Sequence, residues 1–373
     1  MRIFYLSPSQ VPSQQANSVH VMKMCAALAA EGNTVTLFAK RGDRLDGESI
    51  HAHYGVPESF DIRPIRQLRR NRSGKALWRW KIRSAVLRHR PDLVYGRDIR
   101  GLLAMAGTGV PLVCEAHFLP ERVDLYEKLF ALTNFRRLVV ISRALGNDFT
   151  AHYPGLDPSQ IQVESDAADP APAQNPEGPL QGAGGPLRVG YVGQLYAGKG
   201  IELIAELARR CEWAEFHVVG GCEPELSRWQ GRATSSNLRF HGFVPHRETA
   251  RFIASFDVVL APYQPKVEGA SVRDIVRWMS PLKLFEYMAA RRPVVASALP
   301  VLDAYLRDDD NALLFGPDDS GSLAKAITRI REDRALAARL ARNALADVAG
   351  LTWDARAQGI LEFAGLGDEI SET

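Results

Sequence analysis

Residues 2–39, RIFYLSPSQVPSQQANSVHVMKMCAALAAEGNTVTLFA, decide the fold. Arg2 to Ser7 is an apolar run that ends in Pro8-Ser9-Gln10, as a buried parallel strand entering a loop does. From Ser18 to Ala30 apolar residues recur at helical spacing until Gly32 stops them, and Val35 to Ala39 reads as a second strand. A strand, a crossover and a second strand make a βαβ unit, which commits the chain to a parallel, doubly wound sheet.

The same alternation continues outward from this unit. Strands are expected at Leu93–Tyr95, Leu112–Glu115 and Leu138–Ile141, and between Asp166 and Pro186 the composition turns to Asp, Ala, Pro, Gly and Gln with little to bury, which marks a domain boundary. A second series follows: strands at Leu187–Val192, Phe216–Val219, Leu238–Phe240, Val258–Leu260, Pro293–Ala296 and Ala312–Phe315, with a helix at Ile201–Arg210. At 373 residues the chain exceeds what one core supports. The expected fold is α/β, with two Rossmann-like doubly wound domains, 1–168 and 169–352, facing each other across a cleft. Residues 353–373 then form a final helix that crosses back to the first domain.

A net charge of +3 is too small to imply nucleic acid, and no recognised nucleic-acid module is present. Cys25, Cys114, Cys211 and Cys222 stand beside or within apolar runs, with no pair at metal-ligand spacing. They predict buried free thiols in a reducing, cytoplasmic setting. The opening apolar run is too short for a signal-peptide core, and no stretch approaches a membrane-spanning length. Charge concentrates between Arg63 and Arg90: Arg63, Arg66, Arg69, Arg70, Arg72, Lys75, Arg79, Lys81, Arg83, Arg88 and Arg90, with Trp78 and Trp80 and no acid. The segment reads as a surface for anionic lipid or a phosphate-bearing acceptor, and equally as a solvated arginine-rich face.

Chemistry gathers at two helix starts. Ser280 and Pro281 look like an N-cap and first helical residue, so the amides after them, with Lys283 on the first turn, favour an anion, phosphate above all. Glu286 lies one turn further on, and on local sequence alone it pairs as well with Lys283 on a plain surface. After the strand Leu187–Val192, Gly193-Gln194-Leu195-Tyr196-Ala197-Gly198-Lys199-Gly200 places a lysine just before a helix, which suits a diphosphate. Its spacing is neither the dinucleotide fingerprint nor the P-loop. Asp308-Asp309-Asp310 reads as a solvated turn rather than a metal site.

Jointly, several segments resemble the retaining nucleotide-sugar glycosyltransferases of family 4, which have the GT-B fold. They are Val192-Gly193-Gln194-Leu195 with Lys199-Gly200, His241-Gly242-Phe243-Val244, Pro262-Tyr263, Ser280 to Ser297 and Asn311-Ala312-Leu313-Leu314-Phe315, with Val140 to Leu145 and Leu351-Thr352-Trp353 as outliers. The resemblance implies transfer of a sugar with retention from a nucleoside-diphosphate donor to a glycan, lipid-linked or small-molecule acceptor, with no metal or other cofactor. It implies that Gly193, Gln194, Lys199, Ser280, Pro281, Leu282 and Lys283 hold the diphosphate, that Gly220, Phe243 and Val244 border the base, and that Glu286 binds the ribose. His117, in Glu115-Ala116-His117, matches a histidine near donor sugar and acceptor, though locally it reads as well as a satisfied polar residue at a strand end. With Lys199 and Glu286 it completes the expected catalytic set; Asn17, Ser18, Arg97 and Asp98 are the acceptor-facing candidates.

The chain departs from the pattern at Trp278, where the family's first motif glutamate stands, leaving that contact absent or supplied by a residue such as Asp274. Gln194 replaces a common arginine, and Lys283 is read as the substitute cation. An epimerase of the same fold, or a catalytically silent sugar-nucleotide-binding subunit, are the alternatives.

Overall fold

The computed structural model describes residues 1–65, 72–120, 124–172, 177–180, 185–233, 235–268 and 274–365. It divides into two compact units, Met1–Ser165 together with the chain from Trp353, and Asp166–Thr352.

In the first unit β1 (Arg2–Val11), β2 (Thr34–Arg41), β3 (Asp61–Ile65), β4 (Leu93–Gly96), β5 (Leu112–Ala116), β6 (Phe135–Val140) and β7 (Ile161–Val163) form a seven-stranded sheet in the order β3-β2-β1-β4-β5-β6-β7. Every pairing is parallel. The central β4 and β5 are buried along their whole length, which is why they read as unbroken apolar runs. The helix Ala16–Ala30 carries the crossover from β1 to β2, and the helix Trp353–Phe363 packs against it.

In the second unit β8 (Leu187–Val192), β9 (Ala214–Val219), β10 (Leu238–Gly242), β11 (Val258–Ala261), β12 (Val294–Ser297) and β13 (Leu313–Phe315) form a six-stranded parallel sheet in the order β10-β9-β8-β11-β12-β13. The helix Ile201–Arg210 turns Ile201, Leu203, Ile204, Leu207 and Ala208 onto this sheet. Each buried leucine or isoleucine among them contributes roughly 1.5–3 kcal/mol. Gly190 sits mid-strand because the Phe256 ring lies against its backbone: a Cβ there would stand 1.9 Å from Phe256 Cδ2.

Two strands, β3 and β7, had no sequence signal. Both are edges: β3 carries Asp61, Arg63 and Pro64, and β7 is three residues long. Edge strands bury one side only and tolerate proline, so they lack the apolar run that betrays a central strand. Of the cysteines, Cys25, Cys114 and Cys211 are buried as expected, whereas Cys222 is only half-buried, and none forms a disulfide. In the basic segment, residues 66–71 lie outside the described residues, as do the side chains of Arg72 and Lys75. Asp308, Asp309 and Asp310 are engaged: Asp308 accepts from the Leu314 amide, Asp309 pairs with Arg329 and Asp310 with Arg307.

Candidate functional site

In open parallel sheets, ligands bind at the carboxyl ends of the strands where the strand order reverses. In the second sheet that point lies between β8 and β11, whose pairing stops at Gly190. Beyond it the Val192 amide donates instead to the Tyr287 hydroxyl at 2.7 Å, which fastens the helix Leu282–Ala289 to the end of β8.

The loop after β8 is shaped by two glycines. Gly198 and Gly200 have φ of +80° and +83°, and a Cβ on either would lie 1.8 Å from Lys266 O or 1.9 Å from Pro262 O. Gly198 O accepts from the Gln264 amide at 2.9 Å, and Ala197 O from the Glu268 amide at 3.0 Å. Lys199, held between these glycines, carries its Nζ 5.1 Å from the Tyr263 ring centre. From the helix Leu282–Ala289, Lys283 Nζ lies 3.7 Å from the centre of Tyr191 and 4.9 Å from that of Tyr263. The two expected lysines therefore meet over a tyrosine floor.

Neither ring offers a full counter-charge, and Lys283 Nζ is buried without a hydrogen-bond acceptor among the described residues. Burial, and then the neighbouring Lys199 charge, hold the Lys283 ammonium well below the ordinary lysine range against the opposing pull of Glu286. Burial lowers Lys199 to about 8. Two under-compensated cations at a strand-end crevice and a helix N-terminus have the chemistry to pair with a polyanion.

Glu286 Oε1 meets His246 Nε2 at 2.7 Å, a partner on the separate helix His246–Ala254. The turns after β8, β9 and β10 lean on one another: Gly193 N donates to Val219 O at 2.9 Å and Gly220 N to Gly242 O at 2.7 Å. Gln194 approaches Cys222 through its side chain and accepts from Tyr191 through its carbonyl. Phe243 and Val244 are half-buried beside these turns.

Ser280 does not cap the helix. The helix starts at Leu282 with Pro281 as cap residue and no side-chain cap bond. The Ser280 hydroxyl instead accepts from the amide of Asp166, 114 positions away, at 2.8 Å. Chain entering the unit thus uses the oxygen that local sequence assigned to the helix. Asp274 Oδ1 accepts from the amides of Val267 and Val276, so this carboxylate ties its own loop, and Trp278 is half-buried close by in sequence.

In the first unit the order reverses between β1 and β4. Here the Glu115 side chain, 0% exposed, gathers His117 Nε2 at 2.5 Å, His20 Nε2 at 2.8 Å and Arg356 Nη2 at 3.2 Å on Oε1. Tyr95 OH donates to Oε2. Although burial alone would raise the Glu115 pKa, Arg356 and His20 hold it well below the usual carboxylate range. His117 is lowered to about 4, by burial first and then by Arg97, so it is neutral at pH 7.

The acceptor candidates divide. Arg97 stands close enough to oppose protonation of His117, and Asn17 is exposed at the start of the helix Ala16–Ala30. Asp98, by contrast, accepts from Trp78 Nε1 at 2.9 Å. Ser18 is fully buried, donating to Gln15 O at 2.7 Å and accepting from Tyr54 OH at 2.8 Å. Expected to face the acceptor, its hydroxyl is instead bonded within the turn and core. Tyr191, Tyr263, His246, His20 and Arg356 were not singled out from sequence as site residues. Only Tyr263 had a signal, its place after Pro262 in a family-like segment.

The geometry defines a two-unit α/β protein with two lysines gathered over tyrosine rings at the strand ends of its second sheet. A family model described as Glycosyltransferase Family 4 matches residues 18–170, and one described as Glycosyl transferases group 1 matches residues 186–333. The chain belongs to these family-4-type glycosyltransferases and has the GT-B fold. It is 27% identical over 161 residues to an alpha-D-kanosaminyltransferase of Streptomyces kanamyceticus, covering 41% of this chain and 39% of that protein. It is 33% identical over 137 residues to a D-inositol 3-phosphate glycosyltransferase of Thermomonospora curvata, covering 36% and 29%. The matches thus span well under half of either relative. The fold is similar to that of HepE of Anabaena in complex with UDP and glucose, at TM-score 0.70 and 18% identity over 98% of this chain and 99% of that one. Among the described residues no helix is long and apolar enough to cross a membrane.

Proposed function

We propose that the protein transfers a sugar, with retention of anomeric configuration, from a nucleoside-diphosphate sugar to a glycan, lipid-linked or small-molecule acceptor. The observation that carries this reading is the convergence of Lys199 and Lys283 over Tyr191 and Tyr263, with the Lys283 ammonium lacking an acceptor. Charge builds on the diphosphate as the glycosidic bond breaks, and pre-placed cations in a dry site stabilise the departing group without reorganising. Attack on the same face through an oxocarbenium-like transition state then gives retention without requiring a metal. Glu286, oriented by His246, is the group for the ribose hydroxyls, and neutral His117 is the polar group of the first unit for substrate. Because HepE is described with UDP and glucose, UDP-glucose is the first donor to try. In a thermal-shift screen of UDP, GDP, ADP and UDP-glucose, one diphosphate should raise the midpoint, since a ligand at one hundred times its Kd adds about 2.7 kcal/mol. No shift with any of them sinks the reading. Donor hydrolysis without acceptor separates an enzyme from a silent binder, and the anomeric coupling of the product reports retention.

We also infer that the helix Arg72–His89 rests on anionic lipid. Among the described residues the exposed large apolar side chains are Leu77, Trp80, Leu87 and Val163, and the first three share one helical stripe. Arg79, Lys81 and Arg88 flank that stripe without an acid. At low salt the protein should sediment with phosphatidylglycerol-containing vesicles and remain in solution with neutral ones, and Trp80→Ser should weaken the association several-fold. Equal behaviour towards both vesicles rules this out.

A further inference from the structure

We propose that Arg356 is a positioning residue for His117: from the last helix it keeps the Glu115 carboxylate ionised, and that carboxylate holds the His117 hydrogen on Nε2, leaving Nδ1 as the acceptor nitrogen. This rests on the reading of His117 as a group that meets substrate.

A carboxylate that is 0% exposed, like that of Glu115, reverts to the neutral acid unless a fixed positive charge stands beside it. The Arg356 guanidinium is that charge, itself 2% exposed and 3.2 Å from Oε1. Its orientation is fixed by Nε donating to Ser165 O at 2.8 Å and by an Nη1 contact to Met24 Sδ at 3.1 Å. An ionised carboxylate only accepts, so both imidazoles on Oε1 must present N–H there. Tyr95 donates to the other oxygen, which favours the ionised acceptor further. Were Glu115 protonated on Oε1, its hydroxyl would become a donor, an imidazole there would have to turn a lone pair towards it, and the hydrogen of that ring would move to Nδ1. The consequence for substrate is a change of sign: an Nδ1 lone pair accepts from a hydroxyl, whereas Nδ1–H donates. Among the described residues the other ionisable groups facing the cluster are Tyr5 from β1, Arg97 after β4 and Glu164 after β7, whose carboxyl acts on both Arg356 and Glu115. The ligand atoms of His20, Glu115 and His117 also lie within 4.8 Å of one another, as a metal site requires. Arg356 on the shared oxygen opposes a divalent ion there.

The tautomer is read directly by long-range 1H–15N correlation of the imidazoles in the full chain, with His117 assigned from His117→Asn. Wild-type His117 should be the Nε2–H tautomer and stay neutral at pH 5. Arg356→Lys, which retains the charge, should preserve that spectrum. Arg356→Gln should move His117 towards Nδ1–H and shift the acid limb of the kcat/KM profile by about one pH unit, roughly tenfold in rate on that limb. An Nδ1–H wild-type ring, an unchanged spectrum in a folded Arg356→Gln, or loss of the His20 and His117 signals on adding Zn2+ alone overturns the proposal. If Arg356→Gln does not fold, the wild-type and Arg356→Lys spectra decide it. The spectrum needs no turnover, so absence of glycosyl transfer would count against the proposed function and leave this result standing.

Discussion

Lys283→Met should lower the affinity for UDP and pyrophosphate, and turnover with the donor, by about two to three orders of magnitude, the scale of losing one pre-placed donor at a developing charge. The same substitution should raise the melting midpoint of the ligand-free protein by roughly 2–4 °C, the shift for about 1 kcal/mol in a domain of this size. Both signs follow from one geometry. The ammonium is buried over Tyr191 and Tyr263 with no acceptor among the described residues, so in the empty protein it is a desolvated charge, and methionine matches its stem and packs on the same rings. Function and stability are opposed at this position. Lys199 adds a pH dependence. Its folded pKa, about 8, lies below the ordinary lysine value, so between there and 10.5 the unfolded chain binds more protons. Ligand-free stability therefore rises with pH through that window, while diphosphate binding weakens as the charge is lost. Calorimetric titration of pyrophosphate at pH 7 and pH 9.5, on wild type and Lys283→Met, measures both effects. Unchanged affinity in Lys283→Met would remove this lysine from the site.

Why the lysines were legible and their surroundings were not is a matter of range. Lys199 stands between a strand end and a helix start and Lys283 on the first turn of a helix, and these signals lie within a few residues of each lysine. Tyr191 lies inside β8, where an aromatic residue reads as core, and it is indeed 1% exposed. Its second role, as the surface under an ammonium, depends on a helix far along the chain. His246 and Glu286 come from different helices, and nothing near either residue announces the other. Ser18 and Ser280 failed in the opposite direction. A hydroxyl near a loop or helix start promises a ligand or a cap, yet Tyr54 and Asp166, both distant in sequence, claim them. The strands divide in the same way: β5 and β12, buried throughout, are written as apolar runs, while β3 and β7 are defined by the neighbour they pair with at the sheet edge. The local grammar of strands, glycines and caps is short-range, and the polar groups that finish a site are not.

Glu115→Ala should be the most damaging single substitution in the first unit, destabilising it by about 3–5 kcal/mol in urea unfolding. The lost side chain is small, and the loss of packing is a minor part of this. The larger part is what remains: Arg356 becomes an uncompensated buried cation, and the donors of His20, His117 and Tyr95 lose a shared acceptor. Glu115→Gln should lie between, because the amide oxygen still accepts while the charge is gone. Removing the stranded cation as well tests the cause. In Glu115→Ala with Arg356→Met a substantial part of the loss should be recovered, so that the two substitutions together are less harmful than their sum. Trp353, whose ring lies 5.3 Å from that of His20, reports locally on this unit, which matters because two units need not unfold as one. A loss of under about 1 kcal/mol in Glu115→Ala, or strict additivity in the double variant, would mean that solvent reaches the carboxylate and that the last helix is held by its apolar face alone. If the coupling is found, the carboxylate that receives the His117 N–H is the same one that fastens the last helix to the first sheet.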